Sequence, residues 1–211
     1  MKIPKNSILL AFAALYAMFC GTGCVSYVDM RNYGTPPEFT AKAADPKPVN
    51  VRFVFQTAGS PNQMVTAKLK GAVLETVGKS GLFSTVYESP ANDGPVLNVS
   101  VNNNVTPDEA VEAVLKGCVT GLTLFIIGSN VRDNYLCTVD FMPDGRTPFV
   151  SKSTNGGVYT GIGIIRQHPK NAKKARGMNA AADEMVRLAL AELLAELANN
   201  PYFTAAPAPE L

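Results

Sequence analysis

The chain has 211 residues, 46% of them hydrophobic, enough for one domain of ordinary size with a real core. It carries 19 basic and 17 acidic residues, a balance that gives no global attraction to nucleic acid, so no partner of that kind is expected. One histidine and four cysteines are too few for an expected metal centre, and the composition implies no cofactor.

The amino terminus reads as an export signal. Lys2 and Lys5 precede an uninterrupted apolar run from Ile8 to Phe19, which is followed by a patch of small residues. The run is shorter than the roughly 20 apolar residues a bilayer crossing needs, and it breaks at Gly21 and Gly23. Gly21-Thr22-Gly23-Cys24 resembles the lipobox of bacterial lipoproteins, although that family usually has Leu where Gly21 stands. The resemblance implies cleavage before Cys24 and acyl chains on that residue, with Cys20 as the rival site. Val25 in place of Asp after the cysteine favours sorting to the outer membrane, with the domain facing the periplasm. Residues 1–23 are then a signal peptide. Because this segment holds two lysines and no acid, the remaining chain is electrically balanced.

From 24 to 48 the chain is poor in periodic hydrophobics and holds Pro36, Pro37, Pro46 and Pro48, so it reads as a lipidated, flexible tether. Val49, Val51, Phe53 and Phe55 alternate with Asn50, Arg52 and Val54 and predict a first strand. Ser60-Pro61-Asn62-Gln63 resembles a capping box with Ser60 as N-cap. The helix that follows turns Val65, Leu69, Ala72, Val73, Thr76 and Val77 to the core. Leu82, Phe83 and Val86 read as a short second strand or edge, and Leu97, Val99 and Val101 as the next strand.

Thr106-Pro107-Asp108-Glu109 repeats the capping logic and predicts a second helix from Pro107, carrying Val111, Val114 and Leu115 inward. The apolar stretch from Cys118 to Gly128 fits strand, helix or loop equally. Tyr135, Cys137, Val139 and Phe141 alternate, and Pro143-Asp144-Gly145 supplies a turn, giving a β-hairpin. A second glycine-rich apolar piece runs from Gly156 to Ile165, before the basic stretch Arg166 to Arg176. From Asn179 on, Met185, Ala189, Leu193 and Leu197 beside Val186, Leu190 and Leu194 define an amphipathic helix docking on the sheet. Residues 201–211 read as a loose tail, leaving 49–200 as a single domain.

No catalytic constellation emerges, and the chain reads as a non-enzyme. His168 precedes Pro169 with no carboxylate or hydroxyl implied nearby. Gly78-Lys79-Ser80 imitates the end of a phosphate loop but closes a helix instead of opening one. Gly161-Ile162-Gly163 has Arg166 where a dinucleotide fingerprint needs its third glycine. Cys118 and Cys137 are the pair available for a disulfide in an oxidising compartment, with two buried free thiols as the alternative. Leu122, Leu124, Phe125, Ile126 and Ile127, with Ile162, Ile164 and Ile165, read either as buried strands or as a membrane- or ligand-facing finger. Arg166, Lys170, Lys173, Lys174 and Arg176 read either as a solvated loop or as an attractor of anionic headgroups beside that finger.

The Ser80-Gly81-Leu82-Phe83 to Val86 stretch, followed by the Leu97 to Val101 strand, resembles a broad class of small outer-membrane lipoproteins. That class includes the auxiliary lipoproteins of lipid and lipopolysaccharide transport and the curli-secretion lipoprotein. Gly121 to Ile127 leading to Tyr135 and the hairpin is similar to lipoproteins of this length, and the likeness spans roughly residues 49 to 199. It implies an accessory or scaffold role with other envelope proteins or lipids as partners, and carries over no catalytic residue. A homo-oligomeric secretion channel is the alternative it implies. The expected fold is α+β, a mixed and mainly antiparallel sheet with two or three helices packed on it, including the C-terminal amphipathic helix.

Overall fold

The computed structural model describes residues 24–33, 43, 45–88, 94–104, 111–112, 114–116, 128–163 and 168–204. The expected signal (1–23) therefore lies outside the described residues, as do Cys118, Leu122 to Ile127, Ile164, Ile165 and Arg166.

The fold is α+β, as expected. Eight strands make one sheet: β1 (Val25–Asp29), β2 (Val49–Thr57), β3 (Ser60–Pro61), β4 (Val86–Glu88), β5 (Val96–Asn104), β6 (Ser129–Met142), β7 (Val150–Ile162) and β8 (Ala172–Ala175). Three helices carry labels here: α1 (Gln63–Lys79), α2 (Met178–Ala198) and the short α3 (Pro201–Thr204). Residues 111–112 and 114–116 are also helical. The strand order is β3-β2-β5-β6-β7-β1-β8, with β4 beside β2. Only the β2–β4 and β2–β5 pairs are parallel. Parallel neighbours need a crossover, and α1 supplies it between β2 and β5.

Alternation in the sequence decides which side of the sheet is covered. Val51 and Phe55, Leu97, Val99 and Val101, and Tyr135, Cys137, Val139 and Phe141 form an inner face buried beneath α1 and α2. α2 packs on β7, β1 and β6 and against α1. Its core stripe is the expected one, with Met185, Val186, Ala189, Leu190, Leu193, Leu194 and Leu197 all buried. The opposite face of the sheet is polar and half-exposed, with Asn98, Thr138 and Asp140 among its residues.

Five expectations are corrected. The tether does not begin at the cysteine, because residues 25–29 form β1, inserted between β7 and β8. Within the basic stretch, Ala172–Ala175 is β8, whose Lys173 and Lys174 sit on the open edge, where charge discourages further strand addition. The cap of α1 is Asn62, whose side chain accepts from the Val65 amide at 3.1 Å, while Ser60 and Pro61 pair with β2 as β3. Val111, Val114 and Leu115 point outward and are exposed. The tail is held at its start: Phe203 is buried, its ring 5.0 Å from Phe141 and 5.8 Å from Phe83.

Leu194→Ala, which hollows a fully buried position between helix and sheet, is expected to lower the unfolding free energy by about 2–5 kcal/mol in denaturant melts. Val114→Ala, at an exposed position, should stay within about 0.5 kcal/mol of the parent.

Candidate functional site

The densest polar constellation gathers on the outer face where β1, β7 and β6 run side by side. β1 carries Asp29 to its last position, with the side chain 3% exposed. A buried carboxylate is costly without partners. Two arginines supply them. Arg31, two residues on, donates from Nε to Oδ1 at 3.0 Å and from Nη2 to Oδ2 at 2.6 Å, and its backbone amide also donates to Oδ1. Arg132 of β6 reaches across β7 and meets Oδ2 from Nε at 3.0 Å and from Nη2 at 2.9 Å. Arg132 also bonds Asn134 through Nη1, and its guanidinium lies 5.8 Å from the Tyr159 ring centre. Arg31 Nη2 donates to the Tyr159 hydroxyl at 2.9 Å.

Gly157 makes the crossing possible. A side-chain carbon there would stand 2.9 Å from Arg132 Nη2, so glycine leaves the guanidinium room to pass over β7 and a larger residue would make it shift. Burial by itself would push the Asp29 carboxyl up. The Arg31 hydrogen bonds and the Arg132 charge outweigh it and hold the group below its usual range.

Beside this clamp a cavity of about 260 Å³ opens, with Arg132, Asn134 and Tyr159 on one side and Glu112 and Lys116 on the other. Lys116 pairs with Glu112 at 2.6 Å and donates to the Asn130 carbonyl at 3.2 Å. The Asp29 lone pairs are filled by guanidinium donors, and arginine holds its proton at any working pH, so the cluster is suited to holding charge and shape in place. Among the described residues, no three His, Cys, Asp or Glu side chains come together as a metal-binding group.

The expected site residues fare unevenly. Cys24 is exposed, directly before β1. Cys137 is a buried thiol on the inner face, and Cys118, its partner in the disulfide reading, lies outside the described residues. Burial, and then the Glu192 charge, push its pKa up to about 12. Ile162 ends β7 opposite Ser129 and is half-buried. Lys170 is exposed, and Lys173 pairs with Glu184 at 2.7 Å. Lys174 and Arg176 border a shallow hollow with Val28, Ala175 and Ala180. His168 packs edge-on against Tyr27, ring centres 4.7 Å apart. Asp29, Arg31, Arg132 and Tyr159 were not foreseen. The one sequence signal was the Gly156-Gly157 pair inside a strand pattern, which marks a close approach.

No protein-family model and no curated relative matches the chain. Among solved structures, the PelC dodecamer of Paraburkholderia phytofirmans is similar at 10% identity and a TM-score of 0.35, over 82% of this chain and 96% of that one. A variant of that dodecamer is similar at 14% identity and 0.35, over 80% and 97% of the two chains. A Xanthomonas campestris protein of the DUF330 family is similar at 12% identity and 0.38, over 75% and 85%. Likeness at this level does not carry a function across. The class that fold and site define is an α+β domain with an arginine-clamped first strand.

Asp29→Asn is expected to cost about 1–3 kcal/mol at neutral pH, because both guanidinium groups lose their anionic partner. Asp29 has a lowered folded-state pKa. Its contribution is therefore complete above the ordinary carboxylate value of about 3.9 and is lost as pH falls through the folded value. Denaturant melts from pH 7 to pH 2 should show the gap between parent and variant closing in acid. An unchanged gap would remove Asp29 from the stability account.

Because the Cys137 thiol is protonated and covered, iodoacetamide should leave its peptide unmodified in the native protein. Full modification is expected after denaturation without reductant, read by mass spectrometry. A Cys137 peptide that reacts only after reduction would show that it is bridged.

Proposed function

We propose that this chain is a lipid-anchored protein of the bacterial envelope, cut before Cys24 and fixed to the outer membrane by acyl chains on that residue. There it works as a non-enzymatic accessory or binding module on the periplasmic side, with other envelope proteins or lipids as partners. The observation that carries the reading is Cys24 itself. It closes a lipobox-like Gly21-Thr22-Gly23-Cys24 run after an export signal and stands exposed at the mouth of the first strand. The Asp29 clamp supports it, since it fixes the strand that hangs from that cysteine.

A homo-oligomeric secretion channel fits less well. The β6–β7 hairpin exceeds the 9–11 residues of a spanning strand, but its inner face lies under α2 and its outer face carries Asn134, Thr138, Asp140 and Ser151. Among the described residues no helix is long and apolar enough to cross a membrane.

Labelled palmitate is expected to enter the parent protein, and Cys24→Ser should lose the label and leave the membrane fraction, since each buried methylene contributes about 0.8 kcal/mol to anchoring. Label that persists in Cys24→Ser and vanishes in Cys20→Ser would move the anchor to Cys20.

A further inference from the structure

We infer that the end of the sheet from which Cys24 emerges is a membrane-contacting surface, where the exposed side chains of Val111, Val114 and Leu115 enter the headgroup boundary of an anionic bilayer beside the acyl anchor. The inference rests on the acylation of Cys24 proposed above. The strand register sets the geometry. Val25 lies opposite Gly161, and Gly161 opposite Asn130, so one row across three strands lies next to the end of the sheet, one residue after Cys24. The Asn130 carbonyl of that row accepts from Lys116, which places Lys116 and its helical neighbours Val114 and Leu115 at the same end.

Residues 111–112 and 114–116 are amphipathic in the inverse sense. Glu112 and Lys116, four apart, pair with each other on the sheet side and line the cavity over β6. Val111, Val114 and Leu115, at the spacing of one helical stripe, are 59%, 64% and 61% exposed. Three large apolar side chains in one exposed stripe suit an interface, and the occupant here is fixed by position. Strand β1 begins at Val25, so an acyl chain on Cys24 has no linker with which to hold the domain away from the bilayer. Charge agrees with an anionic surface. Arg176 follows β8 at the same end, and neither it nor Lys174 makes an ion pair among the described residues.

The chain contains no tryptophan, so a single introduced one reports its own surroundings. Full-length lipidated Leu115→Trp, and separately Val114→Trp, would be placed in phosphatidylethanolamine–phosphatidylglycerol vesicles with brominated acyl chains. Phe149→Trp serves as control, because Phe149 is exposed in the loop joining the opposite ends of β6 and β7. The expected result is a blue shift and strong loss of emission at positions 115 and 114 with an unquenched signal at 149. Equal quenching at all positions, or none at 114 and 115 in protein that carries the palmitate label, overturns the orientation while leaving the anchor intact. A blue shift without quenching means that protein, such as a second copy, covers the stripe, and this also overturns it. Absence of palmitate label on Cys24 overturns the anchored reading and the orientation with it.

Discussion

The Asp29 carboxylate, buried between Arg31 and Arg132, ties together strands that the chain separates by about half its length. β1 has only five residues and no covalent neighbour in the sheet, since its partners β7 and β8 both come late in the sequence. Backbone pairing alone leaves so short a strand marginal. The guanidinium of Arg132 spans β7 to reach it, so that β6, β7 and β1 are fastened by one side chain as well as by their ladders. Removing the arginines would leave a desolvated carboxylate, whereas Arg31 and Arg132 both keep contact with water.

The two adjacent glycines of β7 serve opposite faces of the same strand. Over Gly157 passes the Arg132 guanidinium, while at Gly156 a side-chain carbon would collide with Met185 Sδ and the Tyr33 hydroxyl, both at 2.6 Å. The inner position lets α2 settle close to the sheet, and the outer one lets the clamp close. Tyr33, just after β1, is buried there, and burial drives its hydroxyl well above the usual phenol range. A single dipeptide thus sets the approach of the helical layer and the reach of the polar clamp, and both converge on the residues that follow Cys24.

Where the sequence was legible, local periodicity and burial agreed. The stripes of α1 and α2 and the alternation in β2, β5 and β6 each declare a face because one side of the element is apolar and the other polar. β1 was hidden because two of its buried residues, Ser26 and Asp29, are polar, and Asp29 takes one of its two arginine partners from 103 residues away. β8 was hidden because an edge strand with two lysines looks like solvated loop until its neighbour is known. Val111, Val114 and Leu115 have a core-like stripe but face outward, and no pattern within one helix says which side its surroundings will cover. The clamp was invisible for a related reason, since its Arg132–Asp29 bond joins residues 103 apart.

An anchored domain is positioned as much by its linker as by its surface. A flexible tether of some 24 residues would let the domain drift about 25–30 Å from the bilayer and present any side to it. A strand that begins at the residue after the cysteine permits neither, because the attachment point is then part of the rigid sheet. The Asp29 clamp lies only five residues from that point and would resist peeling of β1 from an anchored cysteine. Under acylation at Cys24, the start of β1 would be held at the bilayer. At about 3.4 Å per residue, the turn of the β6–β7 hairpin, with Phe149, lies some 40 Å along the strands from that end. Partner contacts would then fall on the polar outer face and the hairpin tip, while the residues around Cys24, with Val114 and Leu115, would meet lipid.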